Sequence, residues 1–129
     1  MNNRELKFRA FYKNKLYMQE YCGGFSYFIH NESTALSLES VFIAAESGKC
    51  IIQQYTGLKD KNGIPIFEGD LVKVYLKTEE IGEITFDRGG FCFNSKSLNG
   101  TFLGIVESGF PIEIVGNIME NPELIKTNE

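Results

Sequence analysis

The chain has 129 residues, of which 43% are hydrophobic and 23% are charged, and its formal net charge is −4. This length and apolar fraction suit one compact domain, or one domain with a small appendage, and exclude collagen, coiled-coil and disordered classes. No apolar run approaches the roughly 20 residues that a membrane helix needs, and no signal-peptide pattern opens the chain. The sequence therefore predicts a cytoplasmic protein without a membrane partner.

The N-terminal segment is predicted to begin with a β-hairpin. Residues 6–12 alternate with a period of two, the polar turn 13–15 follows, and residues 16–18 resume an apolar run. Gly23-Gly24 interrupts this pattern. We expect a strand on each side of the turn.

A third strand is predicted over residues 25–30, followed by a loop over residues 31–34. Ser37 can then cap a short helix over residues 38–46, which Gly48 would end. Strand-forming residues at 41–43 argue against that helix, so both interpretations stay open here.

The segment after residue 50 is rich in strand and turn signals. Turns are predicted at Gly57 and at residues 59–63, 68–70, 87–90 and 99–100. Strands are predicted at residues 51–55, 71–76, 82–86, 91–93, 101–106 and 112–118, and Pro65 makes residues 64–67 either an edge strand or an unpaired segment. Asn121-Pro122 is typical of a helix start, so one helical turn is expected to residue 125.

Short strands at short spacing with glycine turns indicate a mainly β fold, either a small antiparallel barrel or a sandwich. We predict an N-terminal β-hairpin or α+β segment over residues 1–48, a barrel over residues 49–125, and a frayed tail over residues 126–129. The segments form either separate units or one domain.

Four stretches of the sequence resemble the YopX family of phage and prophage proteins. They are LKFRA at 6–10, QYTGLKDKNG at 54–63, IFEGDLV at 66–72 and IEIVGNIMENPEL at 112–124. The resemblance spans almost the whole chain except residues 22–48. It implies that the C-terminal part is a partly open SH3-like barrel, and that the protein is phage- or prophage-encoded and acts in a bacterial host.

The resemblance implies no catalytic residues, because no activity is established for the family as a whole. The residues of these stretches have a structural interpretation instead. Glycines suit bends or close backbone approach, and Asp and Asn side chains accept hydrogen bonds from nearby backbone amides. We assign this role to Gly57, Asp60, Asn62, Gly63, Gly69, Asp70 and Gly116.

No residue pattern predicts catalysis or metal binding. The segment 58–69 offers Asp60, Asn62 and Gly63 at calcium-loop spacing, but it begins with a leucine and ends with a glycine where carboxylates are required. The single histidine, His30, has no supporting motif, and Glu68 with Asp70 flanks a turn glycine. We predict no catalytic residue, no metal site and no cofactor.

The three cysteines, Cys22, Cys50 and Cys92, are odd in number and widely spaced. That spacing argues against a disulfide framework and against a zinc site, so buried and inert thiols in a reducing cytosol are expected.

The N-terminal arm offers the remaining functional hypothesis. Residues 1–21 carry a net charge of +3 on a body of −7, and aromatic rings lie between the basic residues. Arg9, Phe11, Lys13 and Lys15 could contact phosphates and stack on single-stranded bases. The same pattern suits a hydrophobic core with a charged polar strand face, on which Phe11 would be the exposed ring.

These observations favour a non-enzymatic accessory protein that acts as a protein-interaction module on an unidentified host or phage protein. Exposed strand edges also predict a homo-oligomer. The alternative is a nucleic-acid-binding module that uses the basic aromatic arm. Sequestration of a small molecule stays open, because pockets are not visible in a sequence.

Overall fold

The computed structural model describes residues 6–22, 25–31 and 34–125, with the side chains of Cys22 and Phe25 excepted. The predicted break at Gly23-Gly24 and the frayed tail at residues 126–129 lie outside the described residues. The chain divides into two compact units between Tyr55 and Thr56. The sequence predicted a boundary after residue 48, which precedes the strand Cys50–Lys59; the observed division falls inside that strand.

The first unit contains most of one antiparallel sheet and one helix. Its elements are β1 (Phe8–Tyr12), β2 (Lys15–Cys22), β3 (Phe25–Asn31), β4 (Thr34–Ser37), α1 (Leu38–Glu46) and the first part of β5 (Cys50–Lys59). The strands are hydrogen-bonded in the order β4-β3-β2-β1-β5. The β1–β2 hairpin closes at Lys13 and Asn14, whose φ values of 50° and 62° match a two-residue turn of the hairpin type.

The helix α1 begins where the Ser37 cap predicts. The Ser37 Oγ atom accepts a hydrogen bond from the Ser40 backbone nitrogen at 3.0 Å, and Gly48 follows the helix at φ 78°. Val41 is fully buried in the unit's core. The cap and this packing outweigh the strand propensity of residues 41–43, so the helical interpretation is confirmed. The buried members of the core are Ala10, Tyr17, Phe28, Val41 and Cys50.

The second unit is built on a second antiparallel sheet. Its elements are β6 (Pro65–Phe67), β7 (Asp70–Tyr75), β8 (Glu79–Asp87), β9 (Gly90–Ser95), β10 (Asn99–Thr101), α2 (Phe102–Glu107), β11 (Ile112–Asn117) and a 3₁₀ turn (Pro122–Leu124). The five-stranded order is β10-β9-β8-β7-β11, and β6 is hydrogen-bonded to β5. The buried core residues are Ile66, Val72, Val74, Ile84, Phe93, Phe102 and Ile112.

The mainly β fold class is confirmed. Within the described residues the five-stranded sheet is open, because β10 and β11 form its two edges and are not neighbours. The 3₁₀ turn confirms the single helical turn predicted after Asn121, with Pro122 at its first position.

The prediction of a strand over residues 101–106 is wrong, because the helix α2 occupies them. Thr101 caps this helix by accepting a hydrogen bond from the Gly104 nitrogen at 3.2 Å. Phe102, Ile105 and Val106 then face the core at helical spacing. The predicted turn at residues 99–100 is likewise the short strand β10.

Two further differences concern β4 and Gly57. The strand β4 spans Thr34–Ser37, where no strand was predicted. Gly57 lies inside β5 at φ 89°, so it bends a continuing strand and does not end it. In both places the pairing of neighbouring strands extends the ladder beyond what local propensity indicates.

Candidate functional site

An open groove of about 480 Å³ lies on the second unit, where the β8–β9 hairpin meets β10. Its walls contain one acidic and one basic side chain, so their formal charges cancel. The lining residues used below are Asp87, Arg88, Cys92, Asn94, Asn99 and Thr101.

The hairpin that forms one end of this groove follows from its turn residues. Arg88 at φ 53° and Gly89 at φ 82° form a two-residue turn between the paired residues Asp87 and Gly90. Beyond the turn, alternation directs Phe93 into the core with no exposed surface. The neighbouring Cys92 and Asn94 therefore face the groove.

The strand β10 forms the outer edge beside the groove, and its three residues are all exposed. The Ser95 nitrogen donates to the Leu98 oxygen at 2.8 Å, which fixes the side of β9 that faces β10. In an antiparallel ladder the hydrogen-bonded pairs alternate, so the peptide groups of Gly100 face β9. Those of Asn99 and the Thr101 N–H consequently face away from the sheet, whereas the Thr101 carbonyl, at the N-cap of α2, accepts the first hydrogen bond of that helix.

The opposite edge of the same sheet, β11, is covered by side chains and a loop. The Asp60 Oδ2 atom accepts from the Ile114 nitrogen at 3.1 Å, and the Lys61 nitrogen donates to the Ile112 oxygen at 2.8 Å. Further along, the Asn117 nitrogen donates to the Asn121 Oδ1 atom at 3.2 Å. Three outer backbone groups of β11, the Ile114 and Asn117 nitrogens and the Ile112 oxygen, are thus already bonded.

Asp60 also organises the turn that precedes β6. Its Oδ1 atom accepts from the Asn62 and Ile64 nitrogens at 2.9 and 3.0 Å. Burial alone would raise the pKa of Asp60, but the backbone hydrogen bonds from Ile64, Ile114 and Asn62, with the charge of Lys61, lower the pKa overall. The carboxylate therefore stays ionised and acts as an acceptor for backbone amides.

The other residues assigned to turns also lie at bends or close approaches. Gly63 and Gly69 have φ values of 79° and 87°. The Asp70 Oδ2 atom accepts from the Phe67 nitrogen at 2.8 Å. A Cβ atom on Gly116 would lie 2.6 Å from the Asn121 Oδ1 atom, so the side chain that holds the end of β11 requires glycine there.

A cluster of ionisable side chains lies on β7 and β11, beside Lys61. The Tyr75 hydroxyl donates to the Glu113 Oε1 atom at 2.6 Å, and the Lys61 Nζ atom lies 3.8 Å from the same oxygen. This hydrogen bond, with burial and the charges of Glu113 and Glu79, raises the pKa of Tyr75. A phenol with a raised pKa is a poor base or nucleophile at neutral pH.

The four residues of the N-terminal arm do not share one surface. Arg9 is only 6% exposed, and its Nε atom donates to the Gln53 Oε1 atom at 2.8 Å. Strand alternation placed Arg9 on an exposed polar face, but pairing with β5 buries it. Phe11 is half-buried, while Lys13 and Lys15 are exposed at the β1–β2 turn, with Lys13 Nζ 5.3 Å from the Tyr12 ring centroid.

The histidine and the cysteines are dispersed. His30 is exposed, and its Nδ1 atom lies 2.9 Å from the Leu16 oxygen. Cys50 is buried, and burial raises the pKa of its thiol. Cys92 is half-buried in the groove, and the side chain of Cys22 lies outside the described part of the chain.

The described residues contain neither a metal-binding cluster nor a membrane-spanning helix. In residues 6–22, 25–31 and 34–125, no three His, Cys, Asp or Glu side chains are arranged to hold a metal ion. Of the helices in this part of the chain, neither α1 nor α2 is long and apolar enough to cross a bilayer.

A family model described as YopX protein matches residues 7–126, which is nearly the whole chain. The chain belongs to the YopX family. The resemblance stated from the four sequence stretches is therefore confirmed. A comparison of this YopX-family chain with curated proteins finds no match.

Solved structures show the same fold. Protein EF1440 from Enterococcus faecalis is 24% identical to this YopX-family chain, with a TM-score of 0.60 over 96% of this chain and 100% of its own. Protein yopX from Bacillus subtilis is 17% identical, with a TM-score of 0.58 over 95% of this chain and 98% of its own. At these identities the likeness concerns the fold.

Sequence reasoning on this YopX-family chain missed the groove because it assigned residues 101–106 to a strand. The signal that identifies the site is the cap at Thr101 three residues before Gly104, which ends β10 and begins α2. With that boundary, β10 becomes a short edge strand, while the groove beside it depends on the packing of β8, β9 and β10 and is visible only in the structure.

Proposed function

We propose that this YopX-family protein is a non-enzymatic, phage- or prophage-encoded protein-interaction module of the bacterial cytoplasm. The observation that supports this function is the difference between the two edges of the second sheet. Asp60 and Asn121 bond the backbone of β11, whereas β10 is fully exposed beside a groove of about 480 Å³. Unpaired backbone groups at a sheet edge are a common site for binding polypeptide.

The charge of the groove favours a polypeptide partner. The only charged side chains among its lining residues are Asp87 and Arg88, which cancel. A nucleic-acid site gains most of its affinity from several lysine and arginine side chains, which this groove does not offer. The groove instead offers amide and hydroxyl groups, which bind polypeptide through neutral hydrogen bonds.

The non-enzymatic role is supported by two of the ionisable groups of the second unit, Tyr75 and Asp60. The environments of Tyr75 and Asp60 move their pKa values away from neutrality, in opposite directions. General acid–base groups need pKa values near the working pH. These two groups are better suited to binding neighbouring atoms within the fold.

Affinity capture with a matched pair of variants tests this function. Cys92→Arg places a large cation in the groove, and Ile64→Arg places the same cation on an exposed residue beside the covered β11 edge. We expect proteins captured from host and phage-infected lysates to be lost from the Cys92→Arg bait and retained by the Ile64→Arg bait. Equal capture by both variants, or no capture by the unmodified protein, contradicts the proposal.

The second candidate function is nucleic-acid binding through the N-terminal arm, which the exposed Lys13 and Lys15 support. Arg9 is unsuited to this test because its substitution would disturb a buried hydrogen bond. For this function, binding of single-stranded DNA must weaken linearly with salt on logarithmic axes and be lost in Lys13→Glu, Lys15→Glu. Undiminished binding by that double variant, or no binding at low salt, excludes it.

A further inference from the structure

The sequence contains two Asn-Gly pairs, Asn62-Gly63 and Asn99-Gly100. Such a pair is chemically labile, because glycine has no side chain to hinder attack by its backbone nitrogen on the carboxamide of the preceding asparagine. The attack closes a five-membered ring, so it requires an asparagine side chain that can turn towards the next peptide group. The two pairs differ in this respect.

The Asn62 carboxamide is free to rotate. Asn62 is exposed in the turn between β5 and β6, and only its backbone nitrogen is bonded, to the Asp60 Oδ1 atom at 2.9 Å. Its carboxamide has no hydrogen-bond partner among residues 6–22, 25–31 and 34–125. Gly63 follows at φ 79°, and no atom lies within 4 Å of the position of a Cβ atom there. Nothing therefore crowds the glycine that the side chain approaches.

The Asn99 carboxamide is held in place. With its amide oriented to suit its neighbours, the side-chain nitrogen donates towards the Ser95 oxygen at 3.2 Å, the Leu98 oxygen at 3.1 Å and the Asn94 Oδ1 atom at 3.2 Å. The Gly100 peptide groups face β9 in the antiparallel ladder. Both reacting groups of this pair are thus engaged in hydrogen bonds.

The turn at Asn62 must open before its carboxamide can react. The Gly63 nitrogen donates to the Asp60 carbonyl oxygen at 2.9 Å, and the Asp60 carboxylate accepts from the Asn62 and Ile64 nitrogens. Opening of an exposed turn is a local event that costs less free energy than global unfolding. The frequency of this opening sets the rate at which Asn62 becomes reactive.

We propose that Asn62 is a site of spontaneous deamidation that the fold exposes, whereas Asn99 is protected. In the opened turn the Gly63 nitrogen bonds to the Asn62 Cγ atom, and the carboxamide nitrogen leaves as ammonia with the proton that the Gly63 nitrogen loses. Water then hydrolyses the resulting succinimide at either of its carbonyl groups. The products are aspartate or isoaspartate, and the sequence of steps consumes water, releases ammonia and involves no oxidation or reduction.

Both products change the turn that Asp60 organises. Each adds a carboxylate that is ionised near neutrality, two residues from the ionised Asp60. Isoaspartate also inserts a methylene group into the main chain before Gly63. Because the Asp60 carboxylate bonds the Ile114 nitrogen as well, at 3.1 Å, the change weakens the cover of the β11 edge. The protection of that edge therefore declines with the age of the protein.

Incubation of the purified full-length protein in mildly alkaline buffer, followed by peptide mapping with mass spectrometry, tests the site. We expect the conversion of carboxamide to carboxylate to be about tenfold faster at residue 62 than at residue 99, because Asn99 must first break its side-chain hydrogen bonds. Asn62→Gln is the control, since glutamine would have to close a less favourable six-membered ring. Conversion at Asn99 that is equal to or faster than that at Asn62 overturns the inference.

The same chain unfolded in guanidinium chloride separates structure from sequence. Both asparagines precede glycine, so we expect their rates to become similar once the fold is lost. A tenfold preference for Asn62 that persists in the unfolded chain would come from the neighbouring Lys61 and Leu98, and it would overturn the assignment to the fold.

The effect on the turn is measured with the aged protein itself. Anion exchange separates the deamidated species by its additional negative charge, and urea unfolding compares it with the unmodified protein and with Asn62→Asp. Asn62→Asp carries the same charge on a main chain of normal length, so we expect the aged species to have the lowest midpoint. Equal midpoints for aged and unmodified protein contradict the proposed weakening of the β11 edge. These readouts need no partner, so they do not depend on the capture experiment.

Discussion

The Oδ2 atom of Asp60 accepts a hydrogen bond from the backbone nitrogen of Ile114 at 3.1 Å, although 54 residues separate the two in sequence. The other oxygen of the same carboxylate accepts from Asn62 and Ile64. One side chain therefore connects the turn before β6 with the outer edge of β11. Its removal affects the turn and the edge together.

We predict that Asp60→Asn lowers the free energy of unfolding by about 2 kcal/mol, because an amide retains one acceptor and leaves a backbone N–H facing a donor. Urea unfolding at pH 7 measures this loss. Asp87→Asn is the control, since Asp87 lies exposed at a hairpin turn and its substitution is expected to cost less than about 0.5 kcal/mol. Equal midpoints for the two variants would contradict the role assigned to Asp60.

The contribution of Asp60 to stability depends on pH with a defined sign. Its pKa is lower in the folded protein than its ordinary value, so the ionised carboxylate stabilises the fold above the unfolded pKa of about 3.9. This stabilisation is lost as the pH falls from there through the folded pKa. We expect the stability difference between the unmodified protein and Asp60→Asn to be constant near neutrality and to shrink below about pH 4. A difference that stays constant in acid would show that the charge is not involved.

Glu83 is predicted to have the opposite effect. Burial raises the pKa of this carboxyl, and the charge of Glu68 raises it further, so its ionised form destabilises the fold at neutral pH. We expect Glu83→Gln to increase the free energy of unfolding by about 0.5 kcal/mol at pH 7, and the gain to disappear as the pH falls to about 4.3.

The control for Glu83 is Glu79→Gln in the same strand. The Glu79 side chain is 60% exposed and lies 3.3 Å from Lys73, so its substitution should change stability little or lower it slightly. Thermal unfolding of both variants at two pH values makes the comparison. If Glu79→Gln raised the stability and Glu83→Gln left it unchanged, the prediction that ionised Glu83 destabilises the fold would be wrong.

Gly82 is required by the close packing of β8 against β9. A Cβ atom at this position would lie 2.6 Å from the Asn94 backbone oxygen and 2.7 Å from the buried Phe93 ring. We predict that Gly82→Ala lowers the free energy of unfolding by about 3 kcal/mol. Gly90→Ala, in the paired strand, meets no atom within 4 Å and should cost no more than about 0.5 kcal/mol in the same unfolding measurement. If Gly82→Ala and Gly90→Ala lowered the free energy of unfolding equally, the cost would come from the backbone preference of glycine and not from crowding at Gly82.

Features determined by local chemistry could be predicted from the sequence. The β1–β2 hairpin followed from a polar turn between alternating segments, and the turn at Asp60 from side chains that bond nearby amides. The Ser37 cap indicated the helix α1, because a cap is a short-range interaction, but the strand formers at 41–43 left the strand alternative open until packing was known. Each of these needs only a few neighbouring residues.

Features determined by packing between distant segments could not be predicted. Residues 102–106 have apolar positions that suit a strand or a helix, and contact of Phe102 with the core selects the helix. Arg9 is buried because Gln53, on a strand that begins 38 residues after β1 ends, accepts its hydrogen bond. The groove depends on where β10 ends, and strand ends are the least predictable part of a sequence pattern.

The adjacent residues Tyr55 and Thr56 belong to different units of the chain, yet both lie within β5. The Tyr55 nitrogen bonds to the Lys7 oxygen, and the Thr56 hydroxyl bonds to the Ile66 oxygen at 2.7 Å. No spacer peptide separates the units, so a truncated gene product that stops or starts at this point would cut an extended segment in half. Expression of either half in isolation would leave newly severed backbone at its terminus, which makes the intact polypeptide the appropriate material for every assay.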